Sequence, residues 1–331
     1  MDILYSIYQN NKAEKEHQMN VKNDHAKSCE TWFGLNRPHK EAKEVDAVIF
    51  GIPFDGGVSY RGGASQAPDV LRANTDHATP CTERLDFFKD FEVLDAGNFQ
   101  GADRDEIFRE VEDMVADLVS QGKHFTMVGG DHSVTIPVHR GIDKALDEPF
   151  GIIHIDAHMD LSEALEGDLL SHGSTERRAL ELPNVGSLEN LFFIGIRSIE
   201  PDEFEFHMAN DIQVKTAYDC YHDGIEKVAD ECISKMKRFH KIYLTFDIDA
   251  LDPAYAGGTG TPQFGGLTSR MAMTLIQRLF GELNIIGFDV VEIAPPLDDS
   301  LAAMYAGRKI ISEAWGIWAD QAGKLVKKSN G

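Results

Sequence analysis

The chain has 331 residues, of which 42% are hydrophobic, so it is long enough to bury a large core. Its formal charge is −23 at pH 7, and such an acidic surface disfavours nucleic acid and anionic membranes as partners. No apolar run reaches the roughly 18 residues of a membrane span, and the four scattered cysteines form no C-x-x-C pair, so we expect a cytoplasmic protein with reduced thiols.

The first 44 residues are mostly polar, and we expect an N-terminal arm over 1–44 that carries a short helix and packs through Trp32 and Phe33. From residue 45 to 331 strand and helix signals alternate, which predicts a single domain with an α/β fold. Its sheet should be mostly parallel, with about eight strands, and covered by helices on both faces. Strands are predicted at 45–52, 91–95, 124–128, 151–155, 191–196, 212–216, 242–248 and 285–292. Amphipathic helices are predicted near 64–74, 105–121, 134–146, 223–238, 268–280 and 299–314.

Three short strings of carboxylates and histidines directly follow predicted strands. They read GGDHS at 129–133, DAHMD at 156–160 and DIDALDP at 247–253. Asp156, His158 and Asp160 recur at every second position, as do Asp247 and Asp249, which places each set on one face of extended chain. Because the carboxyl ends of parallel strands meet at one edge of a sheet, we expect two histidines and four aspartates to lie together there. The six residues are His132, Asp156, His158, Asp160, Asp247 and Asp249.

This ligand set predicts a site for two divalent metal ions. Each string alone is more typical of a turn or a helix cap, but three strings that each follow a buried strand favour metal binding. Oxygen-rich ligation with a minority of imidazole suits Mn²⁺, whereas closed zinc sites favour sulfur and nitrogen. Two divalent cations neutralise four aspartates, and a bridging hydroxide then leaves a cluster that suits a cationic substrate. The leading hypothesis is a two-metal hydrolase.

Several motifs carry a resemblance to the ureohydrolase (arginase/agmatinase) family. The matching segments are 129–133, 156–160, 171–173, 247–253, 258–262 and 290–292. The agmatinase branch is most similar, through GIPFD at 51–55, GVSYR at 57–61, TGTP at 259–262 and GLT at 266–268. The resemblance covers about residues 45–315. It implies a three-layer α/β/α sandwich, a catalytic domain over 45–331 and a homo-oligomer, either trimer or hexamer.

The resemblance also implies how the metal site is built and what it does. Two Mn²⁺ ions are expected, with Ni²⁺ or Co²⁺ as alternatives, and Asp156 and Asp247 bridge them. One ion adds His132 and Asp160, and the other adds His158 and Asp249. The family reaction hydrolyses a guanidino group to an amine plus urea, which fits the ability of two metal ions to activate water.

Two further residues are candidates for the reaction. Glu292 ends an apolar strand, and its carboxylate could form forked hydrogen bonds with a planar guanidinium; the alternative is a surface carboxylate at a strand terminus. His172 lies in the irregular stretch 161–173, which we interpret as an active-site loop. The family context favours His172 as a substrate-contacting proton shuttle over a solvated loop histidine.

The substrate is expected to be a small cationic guanidino compound, agmatine first. The loop 161–171 lacks the hydroxyl and amide set with which arginases hold an α-amino acid, and its acids Glu163, Glu166 and Asp168 should attract a cationic tail. The segments 174–178 and 62–68 depart from the agmatinase pattern, which affects tail recognition. Alternatives are guanidinobutyrate or guanidinopropionate, whose carboxylate Arg177 or Arg178 could bind, or guanidine itself. A non-catalytic paralogue subunit and a mononuclear zinc enzyme are weaker alternatives.

Overall fold

The structure is a computed structural model that describes residues 30–101 and 103–327. The short helix predicted in the arm and Cys29 lie outside the described residues. The end of the arm packs through its aromatics as expected, because Trp32 and Phe33 are buried edge-on against Trp315 at ring-centroid distances of 6.0 and 6.1 Å. Trp32 Nε1 also donates a hydrogen bond to Asp95 Oδ2 at 2.6 Å. The boundary at residue 44 stays a prediction.

Eight parallel strands form the central sheet, which confirms the predicted fold class. The strands are β1 (Ala47–Ile52), β2 (Phe87–Phe88), β3 (Val93–Asn98), β4 (His124–Gly129), β5 (Gly151–Ile155), β6 (Leu191–Ile196), β7 (Val214–Thr216), β8 (Ile242–Phe246), β9 (Ile285–Val290) and β10 (Leu325–Val326). In the order of the central sheet they run β3, β1, β4, β9, β8, β5, β6, β7, and every neighbouring pair is parallel. A two-residue antiparallel pair, β2 with β10, was not predicted.

Helices cover both faces of the sheet and make the three layers. The helices are α1 (Ala67–Ala73), α2 (Arg104–Ser120), α3 (Thr135–Ala145), α4 (Thr175–Ala179), α5 (Pro201–Ala209), α6 (Ala217–His222), α7 (Ile225–Met236), α8 (Ser269–Glu282) and α9 (Ala302–Gln321). One core lies between the sheet and α1, α7, α8 and α9, and the other lies under α2 and α3. In β5 the side chains alternate, with Ile153 and Ile155 in the first core and Ile152 in the second.

The predicted helices are confirmed, and the missed ones are short. Helix α2 shows why periodicity succeeds, since its apolar stripe is buried and Asp103 caps its start by accepting from the Glu106 amide. Helices α4, α5 and α6 were not predicted. Glu203 is the only fully buried residue of α5, so its start depends on the reciprocal capping of Glu200 and Glu203 rather than on an apolar stripe. No helix within the described ranges is long and apolar enough to cross a membrane.

Candidate metal centre

The predicted site residues meet at the carboxyl edge of four adjacent strands. In sheet order these strands are β4, β9, β8 and β5. His132 follows β4, Asp247 follows β8 and Glu292 follows β9, whereas Asp156 opens the string that follows β5. Ligands bind at this edge in parallel α/β sheets because the loops leave the strands there.

Donor atoms of this set converge in two overlapping clusters. In the first donor cluster, His132 Nδ1 lies 3.0 Å from an oxygen of Asp156, 3.0 Å from an oxygen of Asp160 and 3.4 Å from an oxygen of Asp247. In the second donor cluster, His158 Nδ1 lies 3.5 Å from the other Asp156 oxygen and 3.2 Å from Asp249 Oδ2. Asp156 therefore offers one oxygen to each cluster.

The two donor clusters fit divalent ions. Two donors that each lie about 2.1 Å from one ion at right angles are about 3.0 Å apart, which is the spacing seen here. His132 Nδ1 and Asp156 Oδ2 are buried yet have no hydrogen-bond partner among the residues that the structure describes. Buried polar atoms are normally paired, so these two atoms call for a ligand between them.

A chain of hydrogen bonds engages Nε2 of His132 and leaves Nδ1, the nitrogen that faces the carboxylates of the first donor cluster, free to bind a metal ion. Its Nε2 lies 2.8 Å from Thr245 Oγ1, and the Thr245 hydroxyl donates to Asp289 Oδ1 at 2.7 Å. Because Thr245 uses its proton on Asp289, it accepts from Nε2–H, so the neutral ring carries its lone pair on Nδ1. Tyr243 and Thr135 also donate to Asp289, which holds the acceptor in place. Such outer partners orient metal-binding histidines.

Protons and cations compete for the first donor cluster. Burial by itself lowers the pKa of His132, but the carboxylates of Asp156, Asp160 and Asp247, which accept from the ring once Nδ1 is protonated, raise it well above its ordinary value. Burial and the neighbouring charges of Asp249 and Asp156 raise the pKa of Asp247 as well. A bound cation relieves the same crowding of carboxylates, so acidification opposes metal binding.

Glu292 is buried beside the first donor cluster in a conformation that few residues adopt. Its φ is +62°, and Asp160 is also left-handed, with φ of +53°. Non-glycine residues rarely occupy this region, and such strain concentrates at functional sites. Glu292 Oε1 accepts from the His132 amide at 2.9 Å and lies 2.9 Å from His172 Nδ1. Gly260 passes close by, and a Cβ there would lie 2.6 Å from the carbonyl oxygen of Arg61.

His172 lies next to Glu292 rather than in solvent. It opens a short 3₁₀ helix and is 9% exposed. Its Nε2 accepts from the Ser59 amide at 3.2 Å in the neutral form, and the Ser59 hydroxyl lies 2.9 Å away. Burial lowers the pKa of His172, but the hydrogen bond with Glu292 raises it to about 9. The ring is thus protonated at neutral pH yet has a partner for its neutral form, as a proton donor requires.

The mouth of the site, formed by the loop 161–171, is less acidic than the sequence suggested. Glu163, Glu166 and Asp168 were expected to attract a cationic tail, but two of them are paired with arginines: Glu163 accepts from Arg177 at 2.9 Å, and Asp168 accepts from Arg104 at 2.6 and 3.2 Å. Only Glu166 keeps an exposed carboxylate without such a partner among the described residues. Arg178 lies 3.1 Å from Glu181, so neither of the two candidate arginines is a free cation.

Four residues near the site were not assigned a role from the sequence. His154 precedes Asp156 by two positions and continues the alternation of the string, a signal that could have identified it. Ser59 and Arg61 join the loop after β1 to the site, and Arg61 donates to the carbonyl oxygens of Thr259 and Gly260. Glu176, in the segment that departs from the agmatinase pattern, is completely buried behind the site. No residue pattern indicated these long-range contacts.

The eight-stranded parallel α/β/α sandwich carries paired histidine–carboxylate donor clusters at its strand ends, an arrangement that suits a metal-dependent hydrolase. Comparisons with known proteins agree. The family model described as the Arginase family matches residues 45–316. Guanidinobutyrase of Pseudomonas aeruginosa is 32% identical over 279 residues, which cover 82% of this chain and 86% of that protein. Agmatinase of Bacillus subtilis is 34% identical over 290 residues, 85% of this chain and 94% of that protein.

A solved structure shares both the fold and the sequence relationship. The agmatine ureohydrolase of Thermoplasma volcanium superimposes with a TM-score of 0.74 and 29% identity, over 86% of this chain and 94% of that one. The chain belongs to the arginase family, and it is a hydrolase of that family. Its relatives act on different guanidino compounds by name, so the family membership establishes a guanidino hydrolase and leaves the tail of the substrate open.

Proposed function

We propose that this chain hydrolyses agmatine to putrescine and urea at a centre of two Mn²⁺ ions. The observation that carries the hydrolysis of a guanidino group is the strained, buried Glu292, which lies between His172 and the first donor cluster. A buried carboxylate at this place matches the charge and the planar shape of a guanidinium group. The tail of the substrate is argued separately below.

The metal assignment uses all six predicted ligands. His132, Asp156, Asp160 and Asp247 would hold one ion, and His158, Asp156, Asp247 and Asp249 would hold the other, so Asp156 and Asp247 would serve both. The convergence of donor atoms and the two unpartnered buried atoms support this assignment. When bound, two such ions supply a water of lowered pKa and electrostatic stabilisation at the guanidinium carbon. The oxygen-rich donor set favours Mn²⁺, with Ni²⁺ and Co²⁺ as alternatives.

Glu292 and His172 act on the substrate side of the centre. Glu292 Oε1 already accepts two hydrogen bonds, whereas no donor among the described residues occupies Oε2, which remains for the substrate N–H groups. His172 carries a proton at neutral pH and delivers it to the departing amine as the carbon–nitrogen bond breaks. Overall one water is consumed: its oxygen ends in urea, and the amine leaves protonated after the proton transfer.

The loop over the site argues against arginine as the substrate. Its two hydroxyl side chains are both engaged, because Ser162 donates to Asp202 at 3.2 Å and Ser171 pairs with Ser174 at 2.9 Å. No hydroxyl of this loop is left to hold the α-carboxylate and α-amine of an amino acid, and a desolvated carboxylate without a partner costs several kcal/mol. Agmatine lacks that carboxylate. Glu166 is the one loop acid that favours its cationic tail, and such attraction is modest.

A guanidino acid is the second candidate, and one observation favours it. Arg61 contacts backbone carbonyl oxygens beside Gly260, and among the described residues no carboxylate pairs with it. With Glu163 and Asp168 neutralised by arginines, an anionic tail is repelled less than the composition of the loop suggests. This arrangement suits guanidinobutyrate or guanidinopropionate.

The test is a urea-release panel with the purified protein. Agmatine, arginine, guanidinobutyrate, guanidinopropionate and guanidine are compared by kcat/KM, each with Mn²⁺, Ni²⁺ and Co²⁺. The highest kcat/KM for agmatine supports the proposal. If kcat/KM is higher for a guanidino acid than for agmatine, and Arg61→Gln loses activity on that acid but retains its activity on agmatine, the guanidino acid is the substrate and the assignment of agmatine is wrong. Absence of urea release from every compound with every metal refutes the proposed function.

The assembly and the location are secondary proposals. A homo-oligomer, trimer or hexamer, is expected from the family resemblance and is checked by light scattering on the purified chain. The cytoplasmic location remains a prediction from the sequence.

A further inference from the structure

Glu176 is a buried carboxylate next to the metal centre that the proposed function does not use. It belongs to the segment 174–178, whose departure from the agmatinase pattern pointed to tail recognition. In the structure Glu176 is 0% exposed and its Oε1 lies 3.1 Å from His154 Nδ1. The Glu176 carboxylate therefore contacts His154 in the protein interior and is out of reach of a substrate that enters from the solvent.

His154 connects Glu176 to the proposed metal ligands. Its Nε2 lies 3.1 Å from the carbonyl oxygen of His158 and 3.2 Å from Asp156 Oδ2. Its ring is parallel to that of His132, with centroids 5.1 Å apart. One imidazole thus touches a bridging carboxylate and the backbone of the second histidine, and stacks on the first histidine. His154 therefore contacts three of the six proposed ligands.

We propose that Glu176 is a positioning residue of the metal centre, which holds the His154 ring so that its Nε2 orients Asp156 and the backbone of His158. The inference rests on the ligand assignment in the proposed function. The hydrogen bond from His154 Nδ1 to Glu176 fixes the rotation of the ring, because a ring flip would break the contacts at both nitrogens. Hydrogen-bonded partners behind metal ligands commonly contribute 10- to 100-fold to metal affinity.

A direct ligand role for His154 is the competing interpretation. Its Nε2 does lie close enough to Asp156 and His132 to share an ion with them. However, Nε2 faces a carbonyl oxygen at 3.1 Å, which accepts hydrogen bonds only, so Nε2 carries a proton there and has no lone pair for a metal. As a supporting residue, His154 keeps its hydrogen bonds to Glu176 and to the His158 carbonyl oxygen and its contact with Asp156.

Three substitutions of Glu176 separate position from charge. Glu176→Leu removes the acceptor, Glu176→Asp keeps the charge but withdraws it by one methylene, and Glu176→Gln keeps the acceptor at its full reach. The matched control is Glu181→Gln, an exposed carboxylate just beyond the same helix that pairs with Arg178. Mn²⁺ affinity is measured by isothermal titration calorimetry on the metal-depleted full chain, together with the increase in Tm that saturating Mn²⁺ produces.

The expected order of affinities is specific to a positioning role. Glu176→Leu and Glu176→Asp should bind Mn²⁺ 10- to 100-fold more weakly, Glu176→Gln should stay within a few-fold of wild type, and the control should be unchanged. If Glu176→Leu fails to fold, the contrast between Asp and Gln still decides. Wild-type affinity in both Leu and Asp variants, or wild-type affinity in Asp with loss in Gln, overturns the inference.

The metal measurements also separate this inference from the proposed function. They use no guanidino substrate, so weakened Mn²⁺ binding in the Asp variant supports the positioning role even if no urea is released. Conversely, urea release by wild type with unchanged Mn²⁺ affinity in the variants supports the proposed function and refutes the role of Glu176. A lower Tm with an unchanged Mn²⁺-induced increase would show a role in folding alone, which also overturns the inference.

Discussion

The metal centre and the mouth of the site are built in different ways. The centre draws its six proposed ligands from the ends of three central strands, β4, β8 and β5, and these side chains are nearly all buried. The mouth is formed by the loop 161–171, in which Glu163 and Asp168 pair with arginines from other segments of the chain, Arg177 of α4 and Arg104 of α2. The rigid sheet fixes the metal centre, whereas the structure of the mouth depends on exposed or half-exposed ion pairs. Substitutions should therefore have large effects in the centre and small ones at the mouth.

The largest effect is expected for a bridging carboxylate. Asp247→Ala should abolish urea release and lower the bound metal below two ions per chain, because it removes a ligand from both ions. Metal content by mass spectrometry and the turnover rate check this. Asp230→Ala, at an exposed partner of Arg278, is the surface control and should retain activity. Two bound ions with normal turnover in Asp247→Ala would refute the assignment.

A smaller loss is expected at His172, which we propose contacts the substrate and not the metal. His172→Ala should reduce kcat by roughly 10²-fold, the usual contribution of a general acid or base, with nearly normal metal content. Steady-state kinetics with metal analysis on the same preparation provide the measurement. If kcat and its pH profile are both unchanged, His172 has no part in proton transfer.

The His172–Glu292 pair also predicts how stability depends on pH. Burial lowers the pKa of His172 but Glu292 raises it from 6.5 to about 9, so the folded protein holds this proton more tightly than the unfolded chain does. Its contribution to the free energy of unfolding is complete below about pH 6.5 and is lost as the pH rises through about 9. Urea denaturation of metal-free wild type and His172→Gln should therefore show a stability difference that narrows from pH 6 to pH 10. A constant difference would contradict the raised pKa.

The smallest effects are expected at the mouth. Glu163 is largely exposed, so Glu163→Gln breaks an ion pair worth no more than about 1 kcal/mol, and KM for agmatine should change by a few-fold at most. Glu166→Gln should raise that KM slightly at low salt, since Glu166 has no arginine partner to neutralise it, and the effect should vanish at high salt. A change of 100-fold in either variant would mean that the mouth is as precisely built as the centre.

The sequence alone determined the fold class and the positions of the six proposed ligands. Polar residues at alternate positions behind buried strands share one face, and parallel strands bring their ends together, so a local pattern is enough to predict a shared site. Glu292 followed from the same logic at the end of β9. His154 belonged to the same alternation but was counted as part of an apolar strand.

Only the tertiary structure decided the partners of the charged side chains. Glu176 reaches His154 across 22 positions of the chain, and Asp168 reaches Arg104 across 64. Whether such a carboxylate is free, paired or buried depends on how separate loops and helices pack, and no periodic pattern within one segment records it. For the same reason the sequence identified a guanidino hydrolase, while recognition of the substrate tail depends on contacts between loops that only packing brings together.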